Sequence, residues 1–245
     1  MVRIKDRFTM RDRRLVALIT VFTALNATFD SLPGIPQLIS GVWYSWIFIM
    51  EPLTGLVLPP YAAYISTLLG VIVGHNVYQR GEYELLFALG APLGAAVYSL
   101  LKNGKYRTVL LYYALSLLSY FATPVSWDLP LWGMWNTYIA FIIILVLSFL
   151  PEKRIYVEIL SRKRIIYALN AYLCLESDIL FRIFLFIPCG TYSSLYSFSI
   201  ETLRIIWLAG AMVTPAQVLI ATLFTFMLAP YVSRVLGELG LELEA

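Results

Sequence analysis

The chain has 245 residues, of which 60% are hydrophobic and only 13% charged, with a mean hydropathy of +0.77. Soluble domains carry about 25% charged residues, so a water-soluble globular fold could not hide this much apolar side chain. A net charge of +3 without a basic patch gives no reason to expect a nucleic-acid partner, and the two cysteines, Cys174 and Cys189, are too few for a disulfide framework.

Residues 1–14 form a basic segment. No small-residue cleavage site follows, so the apolar stretch behind it reads as a retained first helix. A membrane span needs about 20 mostly apolar residues. By that measure there are eight candidates, at 15–29, 42–58, 60–78, 84–101, 108–122, 130–150, 165–187 and 215–233. The fold class expected is all-α: a polytopic transmembrane bundle of about six to eight spans. One membrane domain covers 15–236, followed by a short acidic tail at 237–245. Asp30 and the Pro33, Gly34, Pro36 cluster are expected to break the first helix and start a loop that folds back over the outer mouth. The stretch 196–213 reads as interfacial, re-entrant or part of a broken helix. Thr214 and Pro215 read as the cap and first turn of the last span.

Basic residues orient the chain. With the amino terminus inside, cytoplasmic segments hold six Lys and Arg at 3–14, three at 102–107, five at 153–164, and Arg234, which makes 15 of 18. Arg80 and Arg204 fall outside and Arg182 lies within a span. This is the bias of the positive-inside rule, and it places both termini in the cytoplasm and the protein in the cell membrane. Trp43, Tyr44, Trp46, Trp127, Trp132 and Trp135 gather toward the opposite edge, where aromatic rings either anchor at the headgroups or wall a ligand pocket.

An ionisable group in mid-span is costly and normally faces a cavity or a partner. Glu51 lies halfway down the second span, before Pro52. Glu176, Asp178 and Arg182 interrupt the seventh. Asp178 and Arg182, four apart on one helix face, are placed to pair; Glu51 and Glu176 have no such partner and read as cavity lining. His75 and Asn76 close the third span, and Asn136 and Asn170 add amides at membrane depth. No His/Cys cluster suggests a metal, and no cofactor is implied.

In the third span Ala62, Ser66, Gly70 and Gly74 recur every four residues, and Thr20 with Ala24 makes a weaker version in the first. The fourth has Gly90 with Gly94. Such stripes admit another helix closely, from within the chain or from a partner. There is no phosphate-binding G-x4-G-K-[ST] loop, no H-E-x2-H and no G-x-S-x-G, so the chain is not expected to be an enzyme, and any active transport must draw energy from a partner or a gradient.

Several segments in order resemble the substrate-specific S components of energy-coupling factor transporters: LVALITVFTALNAT after a basic start, EPLTGLVLPPYAAYISTLLGVIVGH, YELLFALGAPLGAAVYSLLKNGKYR with its basic turn, and TPAQVLIATLFTFMLAPYVSRVL. The resemblance implies a membrane-embedded binding subunit for a vitamin or similar micronutrient, working with a transmembrane coupling subunit and two ATPase subunits. It also implies that Thr20, Ala24, Ala62, Ser66, Gly70 and Gly74 meet the coupling subunit. Threonine at 20 and the larger number of spans depart from the family pattern. The substrate site expected combines Trp46, Glu51, His75, Asn76, Trp132 and Asn136, with Glu176 and Asp178 below. Two other functions fit the composition: an intramembrane enzyme on a lipid or polyprenyl substrate, using Glu176, Asp178 and His75, and a self-contained secondary transporter.

Overall fold

The computed structural model describes residues 10–34, 45–81, 83–149 and 163–238, and these are helical with no strand among them. Trp43, Tyr44, Pro36, most of the expected outer loop, the basic run at 153–162 and the tail beyond 238 lie outside the described residues.

The first helix, α1 (Met10–Ser31), ends before Pro33, one residue past Asp30. Its carboxylate is neutralised in place: Arg80 Nη2 lies 2.5 Å from Oδ2, and the Ser45 hydroxyl donates to Oδ1 at 2.9 Å. α1 lies against α3 (Pro60–Val77) along the small-residue stripe. A β-carbon at Gly70 would stand 3.0 Å from the Ala27 nitrogen and the Thr23 carbonyl; one at Gly74 would meet the Asp30 β-carbon at 2.6 Å. The Ser66 hydroxyl donates to the Ile19 carbonyl at 3.2 Å. The stripe Ala62, Ser66, Gly70 and Gly74, for which docking to a coupling subunit was expected, is therefore covered by the chain's own first helix. Thr20 and Ala24 face outward, with the Thr20 hydroxyl turned back onto the Val16 carbonyl at 2.9 Å.

Next comes α2 (Ile47–Val57), every residue of which is buried. At a rise of about 1.5 Å per residue it extends about 16 Å, roughly half a bilayer's hydrocarbon thickness. It is a half-helix held inside the bundle, shorter than the 42–58 span expected. Its C-terminal carbonyls are met by later side chains: Lys102 Nζ donates to Leu56 O at 2.9 Å and the Ser99 hydroxyl to Leu58 O at 2.8 Å. The next segment divides into α4 (Glu84–Ala88) and α5 (Gly90–Lys102). Pro92 has no N–H for the carbonyl four residues back, and the helix breaks just before it.

After a turn at Gly104 (φ 73°), α6 (Tyr106–Phe121) is followed by two short 3-10 turns, Pro124–Asp128 and Leu131–Met134, that lead into α7 (Trp135–Phe149). Helix α8 (Lys163–Phe186) packs into this group. Tyrosine hydroxyls tie α6 to α8: Tyr113 donates to Leu173 O at 2.9 Å and Tyr112 to Ser177 O at 2.8 Å. Without water to drive helices together, such polar ties and close packing hold a bundle.

A left-handed Gly190 (φ 69°) and the short α9 (Thr191–Ser194) lead to α10 (Ile200–Glu238), one continuous helix of 39 residues. The expected start at Thr214 is not a cap. The Thr214 hydroxyl donates back to the Gly210 carbonyl at 2.8 Å, and the Ala211 carbonyl that Pro215 leaves without an N–H accepts Trp135 Nε1 at 3.2 Å. Helix thus persists through a proline because another helix supplies the missing donor.

Exposure is inverted relative to a soluble fold. Leu111, Leu115, Ile142, Val146, Leu219, Leu223 and Met227 point outward, whereas Asn26, Glu51, Glu176 and Ser177 are buried. Glu84–Lys102, Leu131–Phe149 and Ile200–Glu238 are each long and apolar enough to cross a membrane.

Candidate functional site

At one end of the bundle the helices leave a cavity of about 320 Å³. Its walls are the C-terminal end of α1, the first turn of α2, α4, the start of α7, the second half of α8 and the first half of α10. The basic turn at Lys102, Lys105 and Arg107 is at the other end.

One wall is charged. Asp30 and Arg80 form the ion pair described above, both side chains almost wholly buried. On α8, Arg182 Nε donates to Asp178 Oδ1 at 2.7 Å and Nη2 to Oδ2 at 2.9 Å, a two-pronged pair on one helix face, as their spacing suggested. Glu84, at the head of α4, is 5% exposed and completes three carboxylates against two guanidiniums. The same cavity is lined by the rings of Phe48, Phe87, Trp135, Phe186, Tyr196, Phe198 and Trp207. The Trp207 ring is fixed by a parallel stack on Tyr120 at 5.6 Å.

Of the eight residues expected at the site, Asn136 and Asp178 line the cavity. Glu176 adjoins it, accepting hydrogen bonds from the Asn136 amide and, at 2.8 Å, from the Thr137 hydroxyl. Tyr172 holds the other side of Asn136, donating to its side-chain oxygen at 2.9 Å. This network orients Asn136 rather than offering Glu176 to a ligand.

Glu51 is fully buried and both of its oxygens lack a hydrogen-bond partner among the described residues. It occupies a notch left by Gly94, where a β-carbon would stand 2.6 Å from Glu51 Oε2 and 3.5 Å from the Asp178 β-carbon. It thus lies behind the cavity, beside Asp178, and outside its lining. The remaining four are elsewhere. Trp46 stacks on Phe48 with ring centres 5.7 Å apart and donates to Pro33 O at 3.1 Å. Trp132 is 57% exposed, while its neighbour Trp135 takes the place in the wall. His75 is half-buried on α3 and does not reach the cavity, and Asn76 is exposed, its amide turned onto Ile72 O at 2.7 Å.

Asp30, Arg80 and Glu84 were not read as site residues. Asp30 and Arg80 are 50 positions apart, and no spacing rule joins them. Glu84, an acid heading a 19-residue apolar helix, was the signal available.

No group of His, Cys, Asp and Glu among the described residues could hold a metal ion. Cys174 is buried in the core and Cys189 is exposed, both as free thiols away from the cavity lining. The cavity thus combines charged side chains with ring surface in one space. No family model, no curated protein and no solved structure matches this chain.

Proposed function

We propose that the protein is a membrane-embedded substrate-binding subunit for uptake of a vitamin or other small micronutrient, energised by partner ATPases. The observation that carries this reading is the cavity: about 320 Å³, at one end of an apolar-faced bundle, walled by one buried and one partly buried ion pair and by aromatic rings. Small-molecule sites are concave and mostly apolar, with a few placed polar groups that fix orientation. The S-component resemblance supports the same reading, as does the lack of any nucleotide-binding loop.

In this reading the chain crosses the cell membrane six to eight times with both termini in the cytoplasm. The basic ends of the bundle face the cytoplasm by the positive-inside rule, which turns the cavity outward, toward incoming solute. Because α1 covers the α3 stripe, the coupling subunit would meet an outer surface of α1 that includes Thr20 and Ala24, together with the exposed face of α3.

The test is retention of a solute. The full chain is purified in mild detergent, unfolded, and the released small molecules are identified by mass spectrometry. A single solute is expected from the wild type and none from Val218→Trp, which places an indole in the cavity. The same released profile from both proteins would remove the cavity from the function. Conversion of a retained lipid or polyprenyl compound during incubation would move the protein to the intramembrane enzymes.

A further inference from the structure

Charge balance and ring geometry together narrow the class of solute. Each guanidinium in the cavity wall is committed, Arg80 to Asp30 and Arg182 to Asp178. The third carboxylate, Glu84, has no hydrogen-bond or ion-pair partner among the described residues, although it is 95% buried and lines the cavity. Glu51, also unpartnered, lies behind Asp178 and adds no positive charge. The wall therefore holds one carboxyl with no guanidinium of its own, inside a low-dielectric bundle where its charged form is costly unless a cation pairs it. A positively charged ligand group relieves that cost; an anionic one compounds it.

The rings beside Glu84 suit the same charge. Phe87 meets Phe186 edge-on at 5.8 Å and Tyr196 at 6.0 Å; Phe186 meets Tyr196 at 6.1 Å and Phe198 at 6.3 Å. Tyr196 and Phe198 stack at 5.2 Å with planes 17° apart. All four line the cavity. The stack depends on an unusual backbone: Ser197, between the two rings, has φ 52°, a left-handed conformation that non-glycine residues rarely adopt. Burial, and then the nearby Glu84 carboxylate, push the Tyr196 phenol above its usual range, a sign that acid and ring share one environment. Ring faces are electron-rich and attract cations.

We infer that the cavity takes an organic cation, a solute whose ammonium or charged ring nitrogen sits between the Glu84 carboxylate and the ring group of Phe87, Phe186, Tyr196 and Phe198. This rests on the reading of the cavity as a solute-capture site and adds the charge of its occupant.

The test uses three probes of one shape on the full chain in detergent, with quenching of tryptophan fluorescence as the signal, since Trp135 and Trp207 line the cavity. The probes are benzyltrimethylammonium, its uncharged carbon isostere neopentylbenzene, and phenylmethanesulfonate. The cation is expected to bind about tenfold more tightly than the isostere, the range of a desolvated cation–ring contact, and the sulfonate most weakly. Glu84→Gln is expected to erase the preference for charge while leaving isostere binding intact, which also shows that the variant folds. If Glu84→Gln fails to fold, Phe198→Leu replaces it, with a reduced cation preference expected. Equal binding of cation and isostere, tighter binding of the sulfonate, or an unchanged preference in the variant that folds would overturn the inference while leaving solute capture standing. Binding of none of the three, with no solute retained on purification, would overturn both.

Discussion

Replacing Arg80 with methionine isolates the most consequential buried charge in the fold. Asp30 and Arg80 side chains are 1% and 2% exposed, and the carboxylate has two partners, Arg80 Nη2 at 2.5 Å and the Ser45 hydroxyl at 2.9 Å. In Arg80→Met, Asp30 keeps only Ser45. Removing one member of a buried ion pair destabilises by about 3–5 kcal/mol, because the surviving charge stays buried and unpaired. For a chain of this size that corresponds to a fall in melting temperature of about 6–20 °C. The double variant Asp30→Asn with Arg80→Met leaves no charge behind, and the amide can still accept from Ser45. It is expected to regain most of the loss, since neutral replacements of both partners are often close to neutral in effect. The assay is thermal unfolding of detergent-purified protein followed by intrinsic fluorescence. An Arg80→Met melting point within about 2 °C of wild type, or a double variant no more stable than the single, would refute the idea that Asp30 is buried as a charge matched by Arg80.

Three further outcomes follow from particular contacts. Gly70→Ala places a β-carbon against Asn26 and 3.0 Å from two backbone atoms of α1; overpacking of about 1–3 kcal/mol is expected, read as a lower melting temperature and faster proteolysis between α1 and α3. Trp135→Phe removes the indole donor that meets the Ala211 carbonyl beside Pro215 and is expected to destabilise by about 1–3 kcal/mol; adding Pro215→Ala, which supplies an N–H, should return most of it, and no recovery would show that the indole bond is incidental. Ser197→Gly relieves a left-handed backbone and is expected to gain about 1 kcal/mol, whereas Ser197→Val should lose at least as much; a valine variant as stable as wild type would mean the backbone there is not held.

Helix positions were legible because hydrophobicity in a membrane protein is written along the chain. The candidate at 60–78 became Pro60–Val77, the one at 108–122 became Tyr106–Phe121, and the one at 165–187 became Lys163–Phe186. Pairing of Asp178 with Arg182 was legible for the same reason, being local to one helix. The role of Pro215 was not: it looked like a first turn because its substitute donor, Trp135, is on another helix. Nor was the partner of Asp30, which lies 50 residues away. The small-residue stripe was seen, but spacing alone cannot say which helix fills it; here α1 does. The site was half legible for a related reason. Mid-span cost drew attention to Glu51 and Glu176, which the structure buries in the core and in a network with Asn136, whereas Glu84 and Arg80 sit at helix ends where sequence position carries no penalty. Tyr196 and Phe198 reach the cavity only through the turn at Ser197, a backbone feature with no sequence signature.

The central claim, a solute-binding subunit that relies on partners for energy, is tested most directly by affinity purification of the full chain from its native membrane in mild detergent, with every co-purifying protein identified by mass spectrometry. Recovery of one further membrane subunit together with two ATPase subunits is the expected result. Isolation of the chain without any ATPase, repeated after cross-linking in the intact membrane, would contradict it.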